Sequence, residues 1–136
     1  MRKILLLACL FLTLSCNNMG SKKTKVIFLG DSITQQGADL DIGFISLLKN
    51  NLNQSDFELI GKGISGNKIS DLLVRYKTDV LDLNPDIVFI YIGINDVWHK
   101  YDFGTGSDID IYEKGLRKII SDISSSGSKI VLCTPT

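Results

Sequence analysis

Apolar residues come in short blocks along this chain, and the blocks alternate with stretches whose apolar positions recur every three or four residues. Val26-Ile27-Phe28-Leu29, Phe57-Glu58-Leu59-Ile60, Ile87 to Ile92 and Lys129 to Cys133 read as four strands. The run from Ile87 to Ile92 is apolar almost throughout, as expected for a central parallel strand covered by helices on both faces. Phe44, Leu47, Leu48 and Leu52 predict a helix from about Gly43 to Asn53. Ile69, Leu72, Leu73 and Tyr76 predict a second, opening after Ser65-Gly66-Asn67 and continuing, broken, through Val80-Leu81, until Asn84-Pro85 halts it. After a polar stretch through Ser107, a third follows Ile109, Tyr112, Leu116, Ile119, Ile120 and Ile123 and ends at Ser124-Ser125-Ser126-Gly127. Strands alternating with helices predict βαβ units, an α/β fold and a mainly parallel sheet.

The beginning of the chain stands outside this pattern. Met1-Arg2-Lys3 followed by an apolar run from Ile4 to Leu14 has the charged start and short hydrophobic core of a secretory signal. That core is short of the roughly 20 apolar residues that a spanning helix needs. It ends in Thr13-Leu14-Ser15-Cys16, which resembles a bacterial lipobox with a small residue before the cysteine. Lipidation of Cys16 would tether an exported protein to a membrane of the cell envelope; the alternative is ordinary cleavage, with Cys16 left free or removed. The expected organisation is a signal over residues 1–16, a polar linker over 17–24 and a domain over 25–136. The fourth strand runs into Thr134-Pro135-Thr136, where an α/β fold normally supplies another loop, helix and strand, so the domain's carboxyl-terminal part is expected to be missing.

Charge and cysteine usage narrow the partners. Fifteen basic and fifteen acidic side chains give a formal net charge of zero, without the basic stripe that nucleic acid requires. Of the three cysteines, Cys9 lies in the signal and Cys16 at its end, which leaves Cys133 alone on an apolar run. No disulfide within the domain is expected, and Cys133 reads as a small buried hydrophobe.

Three polar motifs stand where apolar runs stop: Gly30-Asp31-Ser32, Gly63-Ile64-Ser65-Gly66-Asn67 and Gly93-Ile94-Asn95-Asp96. In a parallel sheet all three fall on the carboxyl edge, where open α/β sheets bind their ligands. A serine just after a strand and a glycine turn can open a helix, where its own N–H is unpaired. Ser32 can then be both nucleophile and donor, Gly63 offers an N–H without a side chain in the way, and Asn95 offers an amide. These groups suit acyl transfer, whose oxyanion needs preorganised donors. Taken singly, the glycines read as turn residues, Ser32 as a helix N-cap and Asn95 as an Asx-turn. Their joint occurrence on successive strand ends favours chemistry.

Together with Ile33, these motifs resemble the first three blocks of the SGNH hydrolases, also called GDSL esterases and lipases, over roughly Lys25 to Thr136. The resemblance implies a flavodoxin-like three-layer α/β/α sandwich and hydrolysis of acyl esters of lipids, carbohydrates or small molecules, with no metal or organic cofactor. It makes Ser32 the nucleophile and the Ser32 N–H, Gly63 N–H and Asn95 amide the oxyanion hole. Two features depart from the family. Gly61 stands where many members carry asparagine, and the fourth block, Asp-x-x-His, has no counterpart. The sole histidine, His99, follows Asn95 by four residues and does not hold the catalytic histidine's place; with Trp98 and Asp31 it is expected to line the substrate site. A serine hydroxyl needs an adjacent base, so the chain as given is expected to turn over little. The competing reading is a non-catalytic surface protein on the same scaffold that holds an acylated glycan or lipid. Asp31 as a phosphoacceptor lacks an acidic pair for magnesium, and Asp102, Asp108 and Asp110 lack the calcium-loop pattern, so no metal site is expected.

Overall fold

The structure, a computed structural model, describes residues 22–134. The signal, Cys16 and most of the linker therefore lie outside the described residues, and so do residues 135–136. Four strands, β1 (Thr24–Gly30), β2 (Phe57–Gly63), β3 (Ile87–Tyr91) and β4 (Lys129–Cys133), form one parallel sheet in the order β2-β1-β3-β4. Five helices accompany it: α1 (Ser32–Asp39), α2 (Phe44–Asn51), α3 (Ile69–Asp79), α4 (Ile94–Asp102) and α5 (Ile109–Ser125). A single 3-10 turn, Leu81–Leu83, is the broken continuation expected after α3.

Side chains on successive strand residues point to opposite faces, and both faces here are apolar. Ile27, Leu29, Val88 and Ile90 pack on one face with Ile69, Leu72 and Tyr76 of α3 and Ile119 and Ile123 of α5, all 2% exposed or less. Gly115 lets the two helices cross closely, since a Cβ there would lie 2.8 Å from Ile69 Cγ1. On the other face Val26 and Phe28 pack with Ile45 of α2. Phe28 stacks on Phe89 with ring centroids 4.9 Å apart and meets Phe44 edge-on at 5.8 Å. Helices on both sides of the sheet make the three-layer sandwich that the family resemblance implied. Each fully buried aliphatic side chain contributes about 1.5–3 kcal/mol through the area it removes from water.

The structure departs from the expected pattern in four places. At α2 the predicted positions Phe44, Leu47, Leu48 and Leu52 are exposed, and Ile45 is the residue buried. α1 was foreseen only as a helix start at Ser32. α4 replaces the polar stretch expected there, and it is inverted: Val97, Trp98 and Tyr101 are 57%, 54% and 80% exposed, while Asn95 and Asp96 are buried. Cys133 is half-buried rather than buried, because β4 has β3 alone as a neighbour among the described residues.

Candidate active site

Strand register brings the three motifs level. Gly30 pairs with Gly63 on one side and Tyr91 on the other, so the loops after β1, β2 and β3 leave the same edge of the sheet. Asp31, not Ser32, caps α1: its Oδ1 accepts the Ile33 N–H at 3.0 Å, and the residue is 1% exposed. Asp31, expected to line the substrate site, is thus buried, with Oδ1 engaged by the first turn of α1. Burial pushes its carboxyl above the ordinary range, against the lowering effect of the Ile33 N–H, and the Asp96 charge adds to the rise.

Ser32 is the first residue of α1 and is half-buried. Neither its hydroxyl nor its N–H has a hydrogen-bond partner among the described residues. The orphan N–H is what the first turn of any helix leaves unpaired.

The two glycines of the second motif do different jobs. Gly63 ends β2 against the first turn of α1; a Cβ there would lie 2.1 Å from Gln35 N, 2.6 Å from Thr34 C and 2.7 Å from Asp31 O. Only glycine permits that approach. Gly66, with φ +77°, stands in the loop beyond, where a Cβ would meet only His99 Cε1, at 3.9 Å. The Gly66 N–H donates to no acceptor among the described residues. The loop itself is anchored: Ile64 N–H donates to Gly30 O at 3.2 Å and Ser65 N–H to Gln35 Oε1 at 2.8 Å.

The third motif braces the second. Asn95, 3% exposed, donates from Nδ2 to Asn67 O at 3.0 Å. Asp96, 2% exposed, accepts the Ile69 N–H at 3.1 and 3.2 Å on its two oxygens and so caps α3. Burial pushes the Asp96 carboxyl up, while a hydrogen bond from Ser107 and the one from Ile69 pull against that rise. The inverted burial of α4 follows from these contacts.

His99 is half-buried on α4, beside the Gly66 loop, with its ring 5.3 Å from Phe103 and 6.2 Å from Trp98. It makes no hydrogen bond to Ser32. Trp98 is more than half exposed. An apolar cleft of about 370 Å³ borders α4 between Gly93, Asp96, Val97, Lys100, Tyr101 and Ile109; Ser32, Gly66 and Asn95 do not line it. Among the described residues no three His, Cys, Asp or Glu side chains gather in a way that could hold a metal ion. Arg75, which the sequence reading passed over, reaches the same edge from the middle of α3. No motif marks it, and only the fold shows what it touches.

A parallel α/β/α sandwich that carries a serine at the head of its first helix and amide donors on the next two strand ends has the architecture of the SGNH hydrolases. The chain belongs to the GDSL-like lipase/acylhydrolase family, whose sequence profile matches residues 28–136. It is 35% identical over 129 aligned positions to an acetylxylan esterase of Geobacillus stearothermophilus, covering 82% of this chain and 59% of that protein. An uncharacterized lipoprotein of Bacillus subtilis (strain 168), YqeF, is 32% identical over 100 positions, covering 68% of this chain and 40% of the relative. The crystal structure of the acetyl xylan esterase AlAXEase superposes with a TM-score of 0.79 at 48% identity, over 82% of this chain and 58% of that one. The chain thus spans less than two thirds of the length of these relatives.

Proposed function

We propose that this chain carries the nucleophile and oxyanion half of a serine esterase, with an acetylated or otherwise acylated carbohydrate as the leading substrate class. One observation carries the reading: two backbone N–H groups with no acceptor among the described residues, those of Ser32 and Gly66, stand at the same sheet edge as the Asn95 amide. In the proposed reaction Ser32 Oγ attacks the acyl carbonyl and gives its proton to a base. The carbonyl oxygen becomes an oxyanion held by the Ser32 N–H, the loop glycine and Asn95. Collapse expels the alcohol, which takes up the proton, and water then hydrolyses the acyl-enzyme, returning Ser32. Of the two glycines, Gly66 is the better donor, because Gly63 is packed against α1 whereas Gly66 lies in the open loop.

The base is proposed to be a histidine oriented by an aspartate, both from the part of the relatives' length that this chain does not span. His99 and Trp98 are assigned to the rim of the site, where an acyl or sugar group would pass. Acetylxylan esterase relatives support the substrate class. The lipobox-like end of the apolar run supports lipidation at Cys16, and the lipoprotein relative supports a place in the cell envelope.

The full-length protein should release p-nitrophenol from p-nitrophenyl acetate and acetate from acetylated xylooligosaccharides. Ser32→Ala should lower kcat by a factor on the order of 10⁶, the scale seen when a serine hydrolase loses its nucleophile. Binding of these esters without turnover by the full-length protein would instead make it a surface binding protein.

A further inference from the structure

The Arg75 guanidinium touches the chain on either side of the proposed oxyanion site. Its side chain is 14% exposed. Nη2 donates to Gly30 O at 2.8 Å, two residues before Ser32. Nη1 donates to Lys62 O at 3.0 Å, at the end of β2, and to Asp79 Oδ2 at 2.6 Å. Nε donates to Asn67 Oδ1 at 2.8 Å, and Asn67 adjoins Gly66 and accepts Asn95's amide on its backbone oxygen. One rigid fork therefore ties the exit of β1, the exit of β2 and the loop that reaches Asn95. Asp79, which also lies 3.5 Å from Lys62 Nζ, holds the fork from its own helix.

We propose that Arg75 is a positioning residue for the esterase: it fixes the Gly66–Asn67 loop against the strand that carries Ser32, and so sets the spacing of the oxyanion donors. The inference rests on the reading of Ser32 and its donors as an ester-hydrolysing site. Guanidinium chemistry is required because the bonds to Gly30, Lys62, Asn67 and Asp79 diverge in one plane, which a lysine ammonium on a flexible stem cannot reproduce. Preorganised donors act only at the position of the developing oxyanion, and a misplacement of about 1 Å can cost on the order of 10²-fold in rate. The loss should fall on kcat, with ground-state binding of the substrate little affected.

The test compares Arg75→Lys with wild type in the full-length protein, counting active sites by titration with an aryl phosphonate. The control is Arg117→Lys, an exposed partner of Glu113. Expected for Arg75→Lys are a fall of about 10- to 100-fold in kcat per titrated site, KM within twofold of wild type, and faster amide hydrogen exchange in residues 64–68. Ethylguanidinium should restore part of the kcat of Arg75→Ala. A kcat per titrated site within twofold of wild type, with only the folded fraction reduced, would overturn the proposal and leave Arg75 a stability residue. If the wild-type protein hydrolyses no ester, the esterase reading itself fails, and this inference fails with it.

Discussion

The two edges of the sheet use their polar groups in opposite ways. At the amino edge they are paired off. Asp86 accepts the Lys25 N–H at 2.8 Å and the Lys22 ammonium at 3.1 Å, Lys25 Nζ reaches Leu83 O at 2.9 Å, and Ser128 donates to Pro85 O at 2.7 Å. Those bonds, the Lys25 N–H first, hold the Asp86 carboxyl below its ordinary value. At the carboxyl edge the Ser32 and Gly66 N–H groups have no acceptor among the described residues, and burial pushes the Asp31 and Asp96 carboxyls up. One end of a single sheet is built for stability. The other leaves donors open and holds two carboxylates where ionisation is disfavoured, as expected where function is placed against the folding preference.

Short of removing Ser32 itself, removing the Asn95 amide that stands beside the open donors should give the largest effect. Asn95→Ala in the full-length protein should lower kcat by about 10²–10³, or about 2.7–4 kcal/mol of barrier, while KM changes little. Steady-state kinetics on p-nitrophenyl acetate measures both. A rise in KM with kcat unchanged would mean that Asn95 binds substrate without stabilising the oxyanion.

Acid unfolding sharpens the contrast with a smaller effect. Asp86 has a folded-state pKa below its unfolded value of 3.8, so its contribution is present above 3.8 and is lost as pH falls through the folded value. Asp86→Asn should flatten the loss of stability below about pH 4. Asp96 has the opposite sign: its folded pKa is raised, so the folded state gains on the unfolded as pH falls through that value towards 3.8. Asp96→Asn removes that gain and should steepen the acid loss. Urea midpoints between pH 7 and 3 read both slopes, and slopes that change in the same direction would break the comparison between the edges.

The edges were not equally legible in the sequence. Long apolar runs and regular spacing revealed all four strands, α2, α3 and α5; in β1, β3, α3 and α5 the buried side is also the apolar side, whereas at α2 the positions that marked the helix, Phe44, Leu47, Leu48 and Leu52, are exposed and Ile45 is the residue buried. α4 was not foreseen. Ile94, Val97, Trp98 and Tyr101 have helical spacing, yet the buried side chains are Asn95 and Asp96, whose partners lie 28 residues away at Asn67 and 27 away at Ile69. The three motifs could be picked out as a set. Spacing alone did not say which of Gly63 and Gly66 backs onto α1, since that depends on how β2 meets the first helical turn. Arg75 belongs to no motif, and its role exists only after three distant carbonyl and amide groups have been assembled around it.

The most direct measurement is the crystal structure of the full-length protein after reaction with an aryl phosphonate, whose phosphoryl oxygen stands in for the oxyanion. The account predicts phosphorus bonded to Ser32 Oγ, with that oxygen about 2.7–3.1 Å from Ser32 N, Gly66 N and Asn95 Nδ2. An adduct on another residue, or an oxygen turned to solvent with Asn95 still bonded to Asn67, would contradict it.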